Sequence, residues 1–352
     1  MTENYDGSNA GSLSLPQSRF FHIDADGGLF SLSSLQEGLA AVSSGGYIWL
    51  DYLDPDFKTL QQLISELKIH PLSIEDMLNE EQLPKLDLYP DYSFIIFNIF
   101  ESANIEVLTH ELDLIIGPNF IVSSTTRDKS GKPLLGEVEQ VVERERERIK
   151  NGPSFLLHLI MDVVVDRKFH VIDQIESKLD QDEDDILAAS PDFDLSRLMD
   201  SRSSLMVVRK SVFYEREVIS KLLRQDSPFI NDQAIIFFRD VYDHLSRYYE
   251  ISETARDQVT SLMEIHLSII NNQMARTSNR TNAIMRRLTL ITTIFMPLTL
   301  ISGIGGMSEF TLFIGENNFK IGYLILFVVM ALIAWLNYTF LKRMEREYHG
   351  EE

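Results

Sequence analysis

The sequence predicts an α+β domain that gives way to long stalk helices and ends in two transmembrane helices. Three observations predict it. Residues 1–280 are polar and acidic, whereas 288–341 holds two long apolar segments. Short runs rich in β-branched and aromatic residues fill the first third of the chain. From about Gly136 the apolar spacing becomes helical and stays so.

The α/β part spans 18–135. Its strands are read at "GYIWLDYL" (46–53), "YSFIIFNIF" (92–100), "LDLIIGP" (112–118) and "FIVSST" (120–125). Between them "DPDFKTLQQLISELKI" (54–69) has an Asp cap and apolar positions at Leu60, Leu63, Ile64 and Leu67, the pattern of an amphipathic helix. The helical part, 136–231, opens with "GEVEQVVERERERIK" as one charged helix. "SFLLHLIMDVVVDRKFHVIDQIESKLDQDEDDIL" follows as a longer one. "DQDEDDILAASPDFDLSRL" (180–198) is dense in acid but lacks the Gly and the ligand spacing of a calcium loop. It reads as a solvated helix end and a turn around Pro191.

Composition bounds the function. The 352 residues include no cysteine, which excludes disulfide staples and Cys-based zinc sites. A net charge of -21, from 53 acidic against 32 basic residues, argues against nucleic acid as a partner. Such a chain concentrates cations near its surface, although the same charge also serves plain solubility. The N-terminus "MTENYDGSNAGSLSLPQSRF" has neither a basic nor an apolar signal region, and 1–17 reads as a disordered tail.

Residues 288–308 carry no charge, and neither do 321–341. A bilayer core takes about 20 apolar helical residues, so each segment suffices to span one. Tyr323, Trp335 and Tyr338 lie near the ends of the second, where amphipathic rings favour the interface. A buried hairpin inside a soluble protein is the competing reading, and length disfavours it. Arg276, Arg280, Arg286 and Arg287 precede the first span, and Lys342, Arg343 and Arg346 follow the second. The basic flanks put both termini in the cytoplasm of a plasma (inner) membrane, with 309–320 as the external loop and 342–352 as a basic tail.

From Asp232 no Pro or Gly occurs before Pro297, so the stalk helix, 232–287, runs on into the first span. A helix that keeps one face on an axis repeats in steps of three and four. Stepping back from Thr299 gives Met296, Thr292, Thr289, Met285 and Asn282, and further back Asp243 and Asp240. Stepping forward gives Gly303 and Gly306. In the soluble part a solvent face explains this polar stripe. In the membrane, hydroxyls face a partner helix, a wet cavity or their own i−4 carbonyls. Two spans cannot enclose a pore, so the stripe predicts a symmetric homo-oligomer with this helix on the axis. Met285, Leu288 and Met296 would then narrow a channel, or else simply pack a bundle.

Three blocks in order now carry a resemblance: "HPLSIEDMLNEEQLPKLDLYPDYSFIIFNIF" (70–100), "FFRDVYDHLSRYYEISETARDQVTS" (237–261) and "TLITTIFMPLTLISGIGGM" (289–307). Over roughly 45–345 the chain resembles the CorA family of magnesium transporters. The resemblance implies a homopentameric funnel in a lipid bilayer. It implies passive influx of divalent cations, Mg2+ foremost with Co2+ or Ni2+, held in check by intracellular Mg2+ bound between cytoplasmic domains. It implies no organic cofactor. Regulatory ligands carry over to Asp76 with neighbouring Glu75, facing Asp240 of an adjacent copy, and to Asp162. On their own, Glu75 and Asp76 after His70-Pro71 read as acids opening a helix, where the macrodipole favours them. Pore positions carry over to Asn282, Met285, Leu288, Met296, Thr299 and Gly303.

The family's Gly-Met-Asn mouth is here Gly306-Met307-Ser308, followed by Glu309. Serine offers a hydroxyl in place of the amide, and a ring of Glu309 would attract cations. "ARTSNRT" (275–281) looks like one extra heptad of stalk. Two rivals stand beside the Mg2+ reading: a zinc transporter of the ZntB kind, and a non-conducting, membrane-anchored metal sensor. An enzyme has no support, for want of a Cys nucleophile, a phosphate-cradling Gly loop or a His cluster.

Overall fold

The computed structural model describes residues 18–79, 82–103, 106–190, 193–307 and 319–348. The expected tail, Pro191, Ser308 and Glu309 lie outside them. The chain divides into two compact units, Met1–His266 and Leu267–Glu352.

The first unit is built on a seven-stranded sheet of order β2-β1-β3-β7-β6-β5-β4. Its strands are β1 (Arg19–Ile23), β2 (Leu29–Leu32), β3 (Tyr47–Leu53), β4 (Lys85–Leu88), β5 (Ser93–Ala103), β6 (Glu106–Ile116) and β7 (Phe120–Thr125). β3 and β7 pair parallel, and the other neighbours antiparallel. All seven residues of β3 are buried, because a central strand covered on both faces meets no water.

Helices α1 (Leu35–Val42), α2 (Phe57–Glu66) and α3 (Pro71–Asp76) cover one face. Leu60, Leu63 and Ile74 meet Leu50, Phe94, Ile96, Ile115 and Val122 there. Each such side chain contributes about 1.5–3 kcal/mol on burial. The Asp56 carboxylate caps α2, accepting from Thr59 N.

The opposite face carries a polar chain. Trp49 Nε1 donates to Ser123 Oγ at 2.9 Å, and Ser123 donates to Asp51 Oδ1 at 2.7 Å. The Arg19 guanidinium closes it on Asp51 Oδ2. Helix α6 (Pro153–Leu187) packs on this side, across β5, β6 and β7.

The expected charged helix at 136–150 is instead two, α4 (Val138–Arg144) and α5 (Arg146–Ile149), broken at Glu145. The Arg146 carbonyl lies so close to the Gly27 turn that a Cβ there would collide with it. The chain bends where it meets that turn. The long second helix stands as expected, with Pro153 at its first turn, where no N–H is needed.

β4 pairs only with Ser93–Ile96, so the outer edge of β5 is open beyond it. Two helices close that edge. Asn98 N donates to Glu215 Oε1 at 3.0 Å from α7 (Ser196–Leu223), and Lys168 Nζ of α6 donates to Asn98 O. Lys168 and Glu215 pair at 3.0 Å, and both are fully buried.

Helix α8 runs unbroken from Ile235 to Gly305 with Pro297 inside it. Within the first unit it buries Phe238, Val241, Leu245, Tyr248, Ser252, Ala255, Val259 and Leu262, a strict three-four seam. The polar stripe read from the sequence, including Asp240 and Asp243, is exposed here throughout. In the second unit α9 (Phe319–Tyr348) joins α8. A Cβ on Gly305 would collide with Leu326, and Tyr323 Oη donates to Gly305 O at 3.0 Å.

Candidate metal site and membrane face

Asp162 of α6 meets Asp240 and His244 of α8, with a ligand atom from each within 4.8 Å of the others. Asp240 and His244 stand one turn apart on the same helix face. The seating of α8 on α6 fixes the approach. The His158 ring packs against Phe237 and Phe238 at 5.3 and 5.7 Å, and Phe155 against Phe237 at 5.9 Å. Burial, then the Arg148 charge, lowers His158 to about 4, so this ring is a neutral packing group.

Burial, then the charges of Asp166 and Asp240, push the Asp162 carboxyl up to about 6. His244 Nδ1 is buried without a hydrogen-bond partner among the described residues. Two carboxylates and an orphaned imidazole nitrogen therefore converge. Carboxylates suit Mg2+, and imidazole extends the set to Co2+, Ni2+ or Zn2+. The donor set fits a divalent cation.

The family resemblance had pointed to Asp162 and Asp240, and the structure brings them together with His244, which the sequence reading had not singled out. Its signal is the Asp-x-x-x-His spacing of 240–244. Glu75 and Asp76 do not join the trio. The reading of them as acids opening a helix is corrected: they close α3, a six-residue helix that starts at Pro71. The C-terminal end disfavours negative charge. Lys85 offsets this for Asp76 at 2.7 Å, while Glu75 is exposed.

In the second unit Asn282, Met285, Leu288, Thr289, Thr292, Met296, Thr299, Gly303, Gly306 and Met307 are all exposed. Thr289, Thr292 and Thr299 donate to the carbonyls of Met285, Leu288 and Phe295 at 2.9, 2.9 and 2.8 Å. Each hydroxyl has spent its proton on its own helix. What it presents outward is an acceptor oxygen. Met296, Thr299, Gly303 and Met307 line one shallow concavity with Leu300 and Ile304. Both α8 and Lys320–Phe340 of α9 are long and apolar enough to cross a membrane. Only 6% and 0% of these apolar windows are buried, unlike the core hairpin of a soluble protein.

An α/β unit with a divalent-cation donor set, together with two uncovered apolar helices, is the arrangement expected of a membrane protein that handles divalent cations. The family described as CorA-like Mg2+ transporter protein matches residues 44–343. The cobalt/magnesium transport protein CorA of Thermotoga maritima is 33% identical over 283 residues, 78% of this chain and 76% of that one. The protein of the same name from Methanocaldococcus jannaschii is 27% identical over 83% of this chain and 89% of its own. The complete structure of the CorA magnesium transporter from Methanocaldococcus jannaschii superposes with a TM-score of 0.67 at 24% identity, covering 93% of this chain and 98% of that one. The chain therefore belongs to the CorA family, whose members are divalent-cation transporters and not enzymes.

Proposed function

We propose that the protein is a homopentameric channel for passive Mg2+ influx, closed by intracellular Mg2+ held at Asp240. The threonine ladder carries the permeation half of this reading. Bonded to their i−4 carbonyls, these hydroxyls are tolerated in lipid, but their remaining acceptor lone pairs find a partner only in water or a neighbouring helix. Such a row suits the waters of a hydrated cation passing along a symmetry axis. Asn282, Met285 and Met296 lie on the same stripe with Leu288 beside Thr289 at its edge, and the apolar members would form the constriction. The names of the relatives support Mg2+ and Co2+ as cargo.

The trio carries the regulatory half. Asp162, Asp240 and His244 would hold a cation, with Glu75 and Asp76 reaching it from an adjacent copy. The ion supplies positive charge where acidic domains otherwise repel. It shifts the gate only by its differential affinity for the closed state. Both termini lie in the cytoplasm, on the strength of the arginines before the first span and the basic residues after the second.

Fluxes of Mg2+, Co2+ and Zn2+ into liposomes holding the purified protein test the reading. Mg2+ flux that internal Mg2+ inhibits, with inhibition weakened in Asp240→Lys, is the expected result. Zn2+ flux coupled to protons would establish the zinc transporter instead. An absence of flux would leave a metal sensor.

A further inference from the structure

The first unit holds a second acidic recess that the trio does not use. Strand register sets one row across the sheet: Lys85, Ile96, Asp113, Ser124 and Tyr52. Paired residues share a face, here the one that α2 and α3 cover. At Asp113 the apolar cover ends and a cavity of about 240 Å3 opens. Asp54, Glu111, Asp113 and Ser124 line it, with Met77 and Leu78 from the end of α3.

Asp113 is only 4% exposed, and its Oδ1 has no hydrogen-bond partner among the described residues. A buried acid oxygen without a partner of its own is costly, and a water or a bound ion can supply one. No cation is bonded to Asp113 itself among the described contacts: Lys85 pairs with Asp76 and Asp87 at 2.7 and 3.0 Å, and Arg127 pairs at 2.8 Å with Asp54 on the wall of the recess. Burial first, then the Glu111 charge and a hydrogen bond between the two acid side chains, hold the Asp113 carboxyl well above its ordinary range.

We infer that this recess binds a hydrated divalent cation, with Asp113 and Glu111 as its anionic partners and the Ser124 hydroxyl as a neutral one. Every polar lining side chain offers oxygen, the donor that hard cations prefer. Mg2+ keeps most of its waters and leans on one or two carboxylates. Six waters at about 30 Å3 each occupy roughly 180 Å3, which the cavity accommodates.

Occupancy bears on α3. Met77 caps that helix, and Gln82 links Asp76 O at 3.2 Å to Glu111 Oε2 at 2.9 Å. An ion drawing Glu111 inward therefore acts on the segment that carries Glu75 and Asp76. This consequence alone rests on the regulatory role proposed for those two residues.

The test titrates Mn2+ into the purified full-length protein and counts free ion by electron paramagnetic resonance. Four forms are compared: unsubstituted, Asp240→Asn, Asp113→Asn and the double variant. The Asp240→Asn protein should keep a Mn2+ site that Asp113→Asn then removes. Equal binding by Asp240→Asn and the double variant would overturn the recess as a site, and so would no binding by Asp240→Asn. Should Asp113→Asn not fold, Glu111→Gln in the same background carries the same two outcomes. If Asp240→Asn binds as the unsubstituted protein does, the trio falls, and the recess stands only where the double variant then loses that site.

Discussion

At the scale of single residues, Asp162 shows how a site can be written as instability. Its carboxyl is lifted from 3.8 to about 6 by burial first and like charges second. A raised acid binds a proton in the folded state where the unfolded chain has lost it. The penalty for ionising it is absent below 3.8, grows as pH rises and is complete above about 6. With divalent cations chelated, Asp162→Asn should stabilise the full-length protein at pH 7 by about 1 kcal/mol, after a discount for partial exposure. The gain should vanish as pH falls toward 4, and thermal melting across that range checks it. His158 runs the other way. Its pKa is lowered to about 4, so its contribution is present above its ordinary 6.5 and is lost as pH falls through about 4. That common background cancels when variant and parent are compared at each pH.

Elements show where sequence periodicity reports structure and where it does not. The stripe through Asp240 and Asp243 was legible because a long helix repeats its environment every seven residues, and its exposure follows from the buried seam on the other side. Strands β1, β2 and β4 and helix α1 were not legible. β2 and β4 have four residues each, too few for a pattern. His244 stayed hidden because its partner Asp162 comes from a different helix, and no periodicity spans that gap.

The Lys168–Glu215 pair was equally invisible, since its task is to close the open edge of β5 at Asn98. Removing one partner, as in Lys168→Met, should cost about 3–5 kcal/mol. Making both apolar should not restore stability, because Asn98 N–H and C=O would each lose their partner at about 1–3 kcal/mol. Chemical denaturation of the two variants separates this edge-closing role from a dispensable buried pair. Gly305 is the matching case in the second unit. Gly305→Val must displace the end of the Leu326 side chain and should lower thermal stability modestly, by about 1 kcal/mol for overpacking. Gly303→Ala meets nothing within 4 Å in one copy and, since alanine favours the helix, should melt no lower than the parent.

For the whole molecule the decisive matter is what the threonine face of α8 looks upon. One chain leaves Thr299 and Leu300 both exposed, so a single copy does not distinguish water from lipid there. Assembly would. If several copies turn the stripe inward, Thr299 borders water and Leu300 lies toward a neighbouring helix or lipid. The chain has no cysteine, so a single introduced thiol is the only one a reagent can find. Thiolate is the reactive form, and it survives only where water reaches. Thr299→Cys should therefore react quickly with a charged, water-soluble thiosulfonate, and the attached group should block Mg2+ flux in liposomes. Leu300→Cys should react far more slowly and leave flux unchanged. Equal labelling at both positions, or labelling at Thr299→Cys that spares flux, would place the hydroxyl row away from any conduction path.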